Sequence, residues 1–214
     1  VVLNAFTWGA VFLDAEGDQD QDLYINSIAG VPYNFMFENI DNGSALVNVT
    51  STWGFGSDAQ YSVGNAIGDF NSDGRPDIFR NGSSGSSSTF WRNDFSSNNY
   101  LTINLIGMVS NAQAVGSVVE LMAGGQHQYR RLGCGEGFSS QNSNTLFFGL
   151  GENQEVESIT VNWPNGIVTS MSNVAANQSI TMFELSCSDP EACNYDPLAT
   201  GENDEQCTYP GCND

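Results

Sequence analysis

The stretch Asp69-Phe-Asn-Ser-Asp-Gly-Arg-Pro-Asp-Ile-Phe79 decides how this chain is read. Oxygen-bearing side chains stand at Asp69, Asn71, Asp73 and Asp77, Gly74 lies between the last two, and an apolar pair follows directly. Calcium, a hard cation, takes about six to eight oxygen ligands at about 2.3–2.6 Å. A short loop supplies them by aiming positions 1, 3 and 5 inward, then a backbone carbonyl at 7 and a side chain at 9, with glycine at 6 for the sharp turn. Asp69, Asn71, Asp73, the carbonyl of Arg75, and Asp77 fill that pattern, with Gly74 at the turn.

The pattern occurs twice. GAVFLDAEGDQDQDLYI (9–25) aligns with GNAIGDFNSDGRPDIF (64–79), which puts Asp14 and Asp69 55 residues apart. In the first copy Asp14, Glu16, Asp18, the carbonyl of Asp20, and Asp22 take the ligand positions, and Gln19 stands where glycine is expected. Neither copy is an EF-hand. That loop ends in a bidentate glutamate at position 12 and enters a helix. Here position 12 is Ile25 or Arg80, and Leu23-Tyr-Ile25 and Ile78-Phe79 read as strand. The alternatives are a solvated Asp/Asn turn without metal, or a carboxylate pair for glycoside hydrolysis. A loop that is repeated makes a poor active site.

The charge balance agrees with a cation-binding role. The chain has 214 residues, 25 acids against five basic residues (all arginine), and a formal net charge of −20. Such a surface excludes nonspecific nucleic-acid binding and argues against anionic membranes. Fifteen of the acids fall within 14–22, 69–77 and 189–214, and clustered like charges repel unless something positive joins them. A disordered acidic tail fits the first two clusters poorly, because apolar, β-rich residues flank them. No apolar run reaches about 18 residues, so no membrane span is expected. The chain opens at Val1 with no visible signal peptide, as expected of a mature or trimmed piece.

Helical periodicity is almost absent. Short β-type runs separated by Gly, Asn, Ser and Asp dominate: Leu101–Ile106, Ser117–Met122, Thr145–Phe148, Ser158–Trp163 and Ser179–Glu184. Pro164 and Gly166 in WPNG are placed for a tight turn between two strands. The fold class is therefore all-β. The 55-residue period suits propeller-type β repeats. Four of the five cysteines, Cys187, Cys193, Cys207 and Cys212, crowd the last 28 residues. They read as disulfide candidates in a small stapled tail from an oxidising compartment, with three possible pairings. Zinc is the weaker rival, since no CxxC pair exists and the only histidine, His127, is distant in sequence.

Acidic loops that each lead into a short strand resemble the FG-GAP or VCBS-type repeats of calcium-stabilised propellers, over about 1–95. NNYLTINLIG (98–107), SNAQAVGSVVEL (110–121), GEGFSSQNSNTLFFGLG (135–151), VESITVNWPNG (156–166) and NQSITMFE (177–184) resemble the ASPIC/UnbV family, over about 98–185. That resemblance implies an extracellular module and brings no catalytic residue. The tail resembles a cysteine-rich repeat found in tandem near the C-termini of secreted bacterial surface proteins, with GCND (211–214) like the start of a further copy. Asp196, Asn203, Asp204 and Glu205 offer a third, weaker calcium set there. The implied organisation is a partial propeller at 1–95, a β-sandwich-like domain at 96–185 and the tail at 186–214.

The remaining residues carry less. His127 lies in a polar turn-like stretch and reads as a surface histidine. Trp8, Trp53, Trp91 and Trp163 read as core or blade packing before sugar stacking. The expectation is a secreted, calcium-stabilised structural or adhesion protein of the cell surface, not an enzyme. Its partners would be other protein subunits or surface glycans. Two repeats cannot close a propeller: either further repeats lie upstream, or neighbouring subunits complete the sheets by strand addition, which would make the chain part of a homo-oligomer or surface filament. The alternative is a carbohydrate-binding accessory module of a surface enzyme.

Overall fold

The computed structural model describes residues 5–30, 34–40, 43–55, 60–83, 85–95, 98–184, 189–192, 195 and 207. Cys187, Cys193, Cys212, Asp196, Asn203, Asp204 and Glu205 lie outside the described residues. The chain is all-β, with 14 strands among the described residues. It divides into two compact units: residues 1–100 with 134–143 and 147–151, and residues 101–133 with 144–146 and 152–214.

The first unit holds two sheets and, among the described residues, closes no propeller. The first is an antiparallel meander of β1 (Ala5–Leu13), β2 (Asp22–Gly30), β3 (Asn34–Ile40) and β4 (Ala45–Asn48). The second repeats the first three strands as β5 (Ser62–Gly68), β6 (Asp77–Gly82) and β7 (Thr89–Trp91). Each acidic loop joins the first two strands of its sheet, so the sequence repeat is a structural one.

Alternation along β1 decides which side is buried: Val11 and Leu13 are covered while Phe12, between them, is exposed. Val11 lies opposite Tyr24, and Tyr24 opposite Met36. This row forms one apolar cluster with Ile78 of the second sheet, and Ile67, Trp91 and Trp53 pack against it. The Tyr24 ring stands 5.7 Å from that of Trp91. Polar side chains tie the sheets as well: Asn65 donates to Asn26 at 3.2 Å, and the Ser62 hydroxyl donates to Asn34 at 2.7 Å.

The second unit contains β8 (Asn99–Ile106), which from Leu101 pairs in parallel with β14 (Gln178–Phe183). It also contains an antiparallel sheet in the order β10 (Gln126–Arg131), β9 (Val118–Ala123), β12 (Glu155–Asn162), β13 (Val168–Ala175). Leu101, Ile103, Val119, Leu121, Val156, Ile159 and Val161 are fully buried. Within β8, within β9 and from Ile159 to Val161 of β12 they are spaced by two, as a strand with one covered face requires; Val156 stands three before Ile159. WPNG makes the expected turn between β12 and β13: the Gly166 N–H donates to the Trp163 carbonyl at 2.9 Å, and Gly166 has φ 90°. Trp163 is buried, and its indole N–H donates to Thr169 at 2.9 Å.

Candidate metal centre

The two acidic loops share one backbone, and the carboxylate at position 1 builds it. Asp14 accepts the N–H groups of Asp18 and Gln19, both at 3.0 Å. Asp69 does the same for Asp73 and Gly74, at 3.1 and 2.8 Å. At position 5, Asp18 accepts from the Asp20 N–H and Asp73 from the Arg75 N–H. At position 9 the carboxylate closes the loop and reaches onward. Asp22 accepts from Ala15 and from Asn39, each at 2.9 Å. Asp77 accepts from Phe70 at 2.8 Å and from Asn93 at 2.7 Å. Both position-9 carboxylates are fully buried.

Left-handed backbone falls at the same two places in each loop. Position 4 is Gly17 (φ 75°) or Ser72 (φ 60°), and position 6 is Gln19 (φ 87°) or Gly74 (φ 84°). Gln19 is tolerated at a glycine position because its side chain is used: it is buried and donates to the Leu150 carbonyl at 3.0 Å. Gly74 has a second reason to be glycine. A Cβ there would sit 1.9 Å from the Tyr100 ring. Gly149 is constrained likewise, since its Cβ would meet Asp14 Oδ2 at 2.1 Å. The FGLG stretch thus docks on the first loop, and the Gly151 N–H donates to the Gly17 carbonyl at 2.8 Å.

The loops differ in charge. In the first, one oxygen each of Asp14, Glu16 and Asp22 lie within 4.8 Å of one another. The Oε2 atom of Glu16 is buried without a hydrogen-bond partner. Burial, then the hydrogen bond and charge of Asp22, push the Glu16 carboxyl up to about 9. Burial raises Asp22 too, against hydrogen bonds from Glu16, Ala15 and Asn39. Carboxyls packed this way hold protons because no positive charge faces them. In the second loop Asn71 replaces Glu16 and donates its amide to Asp73 at 2.8 Å, while Arg75 approaches Asp73 at 3.9 Å. Local donors thus partly offset the charge of the loop that matched the spacing best, at Asp73.

Of the residues picked from sequence, Asp14, Glu16 and Asp22 come together as one carboxylate group. Asp18 is exposed and Asp20 is buried beside them. Hydrogen bonds join Asp69, Asn71 and Arg75 to Asp73, while Asp77 bonds Phe70 and Asn93 instead, and the carboxylates of this loop are not gathered as those of the first are. The donor set of the first loop fits calcium: hard oxygens, excess negative charge and a buried oxygen left without a partner.

Residues 107–188 match the family model described as ASPIC and UnbV. They form an ASPIC/UnbV domain. No curated protein matches the chain. Within this domain Glu184 is fully buried, a position that spacing arguments did not single out. It accepts the N–H groups of Met108, Val109 and Ser110 at 2.7, 2.6 and 2.7 Å, and the Ser110 hydroxyl at 2.5 Å. Burial alone would raise this carboxyl. The Ser110 hydroxyl and the three backbone donors outweigh it and hold Glu184 below the usual glutamate range. The domain's His127 is an exposed residue, as its polar surroundings suggested, and shares Glu120 with the Tyr129 hydroxyl at 2.9 Å each. Cys134 is a free, exposed cysteine.

Proposed function

We propose that the chain is a secreted, calcium-stabilised structural or adhesion protein of the cell surface and not an enzyme. The observation that carries this reading is the Asp14, Glu16 and Asp22 cluster with its unsatisfied buried oxygen. In the first loop Asp14, Glu16, Asp18, Asp22 and the Asp20 carbonyl would hold one ion. In the second, Asp69, Asn71, Asp73, Asp77 and the Arg75 carbonyl would hold another once Asn71 turns its amide oxygen inward. Calcium supplies positive charge and no chemistry of its own. The residues around it hold the hairpin and, through Asn39, the third strand of the first sheet and, through Asn93, the segment that follows the third strand of the second. The FG-GAP/VCBS-type reading of 1–95 and the disulfide-stapled surface-repeat reading of the tail belong to the same proposal. Thermal melting in calcium and in chelator tests it: the midpoint should fall in chelator, and identical midpoints would refute it.

A second reading, a carbohydrate-binding module, is favoured by one feature. A cavity of about 380 Å³ in the first unit is lined by Trp53, Phe55, Trp91 and Phe95, with Arg92 and Asp94 also in its wall. Trp53 and Phe95 lie 4.7 Å apart but are tilted by 50°, so they offer a sugar no flat platform. Binding of surface polysaccharide that is lost in Trp53→Ala, with melting unchanged, would promote this reading over the structural one.

A further inference from the structure

The repeat assigns each sheet two apolar faces. The face of the first sheet made by Val11, Tyr24 and Met36 is covered: these residues are 6%, 0% and 1% exposed. What covers it is the opposite face of the second sheet, made by Ile67, Ile78 and Trp91. The 55-residue offset and the strand register give each face its counterpart. Ala66, Phe79 and Phe90 stand where Val11, Tyr24 and Met36 stand, and Phe79 lies opposite both Ala66 and Phe90. Phe12 and Leu23 stand where Ile67 and Ile78 stand.

The counterparts are open. Phe79 is 39% exposed, Phe90 43% and Phe70, packed edge-on against Phe90 at 4.6 Å, 65%. On the first sheet Phe12 is 56% exposed and Leu23 half-buried, while Phe37 farther across is already covered. None of these residues is charged, on a chain whose net charge is −20. An apolar patch of that kind on an acidic surface marks an interface.

We infer that the Phe70/Phe79/Phe90 face binds the Phe12/Leu23 face of a second copy of this chain. Within one chain a face of the first kind already packs against a face of the second, Val11, Tyr24 and Met36 against Ile67, Ile78 and Trp91, so the open pair offers the same fit to a second copy. The two patches differ, so the contact is head-to-tail, and successive copies make a ring or a filament and not a two-fold dimer. Screening of the acidic surface by salt should favour it. The inference deepens the structural-subunit reading above and rests on it.

Sedimentation velocity tests it on the whole chain, in excess calcium and about 0.5 M salt. Wild type should pass from monomer to larger species between about 1 and 100 μM. Phe79→Glu and Phe12→Glu should each remain monomeric, with the wild-type melting point showing that they fold. Phe79→Ser and Ala10→Glu replace them where they do not. Mixed in equal amounts, the two variants should form a one-to-one dimer and nothing larger, because each retains one intact patch. Wild type that stays monomeric throughout would overturn the inference, as would a mixture that remains monomeric. The calcium-dependent melt is read on the same samples. Monomer with an intact melt shift defeats the assembly alone, whereas loss of the shift defeats the calcium reading.

Discussion

The two acidic loops of the first unit have the same backbone but differ in how far their negative charge is answered. Each is wound around a position-1 aspartate, turns left-handed at positions 4 and 6, and ends on a buried aspartate that reaches the third strand (Asn39) or the residues just after it (Asn93). Yet the first crowds three carboxylates together, while the second sets Asn71 and Arg75 against Asp73. Loop shape is therefore a matter of side-chain-to-backbone hydrogen bonds. Demand for a cation is a matter of which charges remain unanswered. The two properties share residues but separate under mutation.

The largest effect expected from breaking this comparison is at position 9. Asp77→Ala strips the Phe70 and Asn93 N–H groups of their buried acceptor, at a cost of about 3 kcal/mol, taking about 1.5 kcal/mol for each hydrogen bond to a charged group. Asp22→Ala should cost less in chelator, because it also removes one of three crowded carboxylates. In calcium it should cost at least as much. Denaturant unfolding of both variants in both conditions measures this, and equal losses throughout would erase the distinction between the loops.

Next comes the ion itself. At a hundredfold excess over its dissociation constant calcium should add about 2.7 kcal/mol per site. Hydrogen exchange locates that gain. Chelation should speed exchange at Ala15, Gln19 and Asn39 more than at Phe70, Gly74 and Asn93, their counterparts in the second loop. Equal acceleration would place both loops on one footing.

Glu16→Gln should have a smaller effect of the opposite sign. It removes a carboxyl that must hold a proton in the folded chain, so at neutral pH the chelated protein should gain about 1 kcal/mol after solvent screening, while the response to calcium shrinks. Chemical denaturation in chelator would detect the gain, and a loss there would mean that Glu16 is already compensated.

Glu184 sharpens the comparison from outside the loops. It is more deeply buried than Glu16, but four hydrogen bonds hold it ionised. Its folded value lies below the unfolded one, so the stability it contributes is present above the unfolded range and is lost as pH falls through the folded value. Melting of the ASPIC/UnbV domain should therefore weaken on acidification, more gently in Glu184→Gln than in wild type. Parallel acid limbs would show that Glu184 does not titrate as described.

How much of this was legible in sequence follows the physics of each element. Strands with a covered face, such as Leu101–Ile106 and Ser158–Asn162, announce themselves by alternation. β10 and β13 do not. They are the edges of their sheet, β10 reads QHQYRR, and a mostly exposed strand needs no apolar period. The 55-residue repeat was plain, because each loop must place its acids at fixed offsets. Gln19 at a glycine position was not predictable, since its partner Leu150 lies 131 residues away. For the same reason nothing local revealed that FGLG docks on the first loop, or that Glu184 anchors residues 108–110. Carboxylates that bind ions advertise themselves by clustering, whereas one that binds backbone donors is a lone acid in the sequence.

Calorimetric titration of calcium into chelator-treated protein tests the central claim most directly, on wild type, Glu16→Gln and Asn71→Ala. The first loop should provide the tighter site. Glu16→Gln should then abolish the tighter binding event, and Asn71→Ala should leave it intact. A wild type that takes up no calcium, or a tight event that survives Glu16→Gln and disappears in Asn71→Ala, would contradict the account.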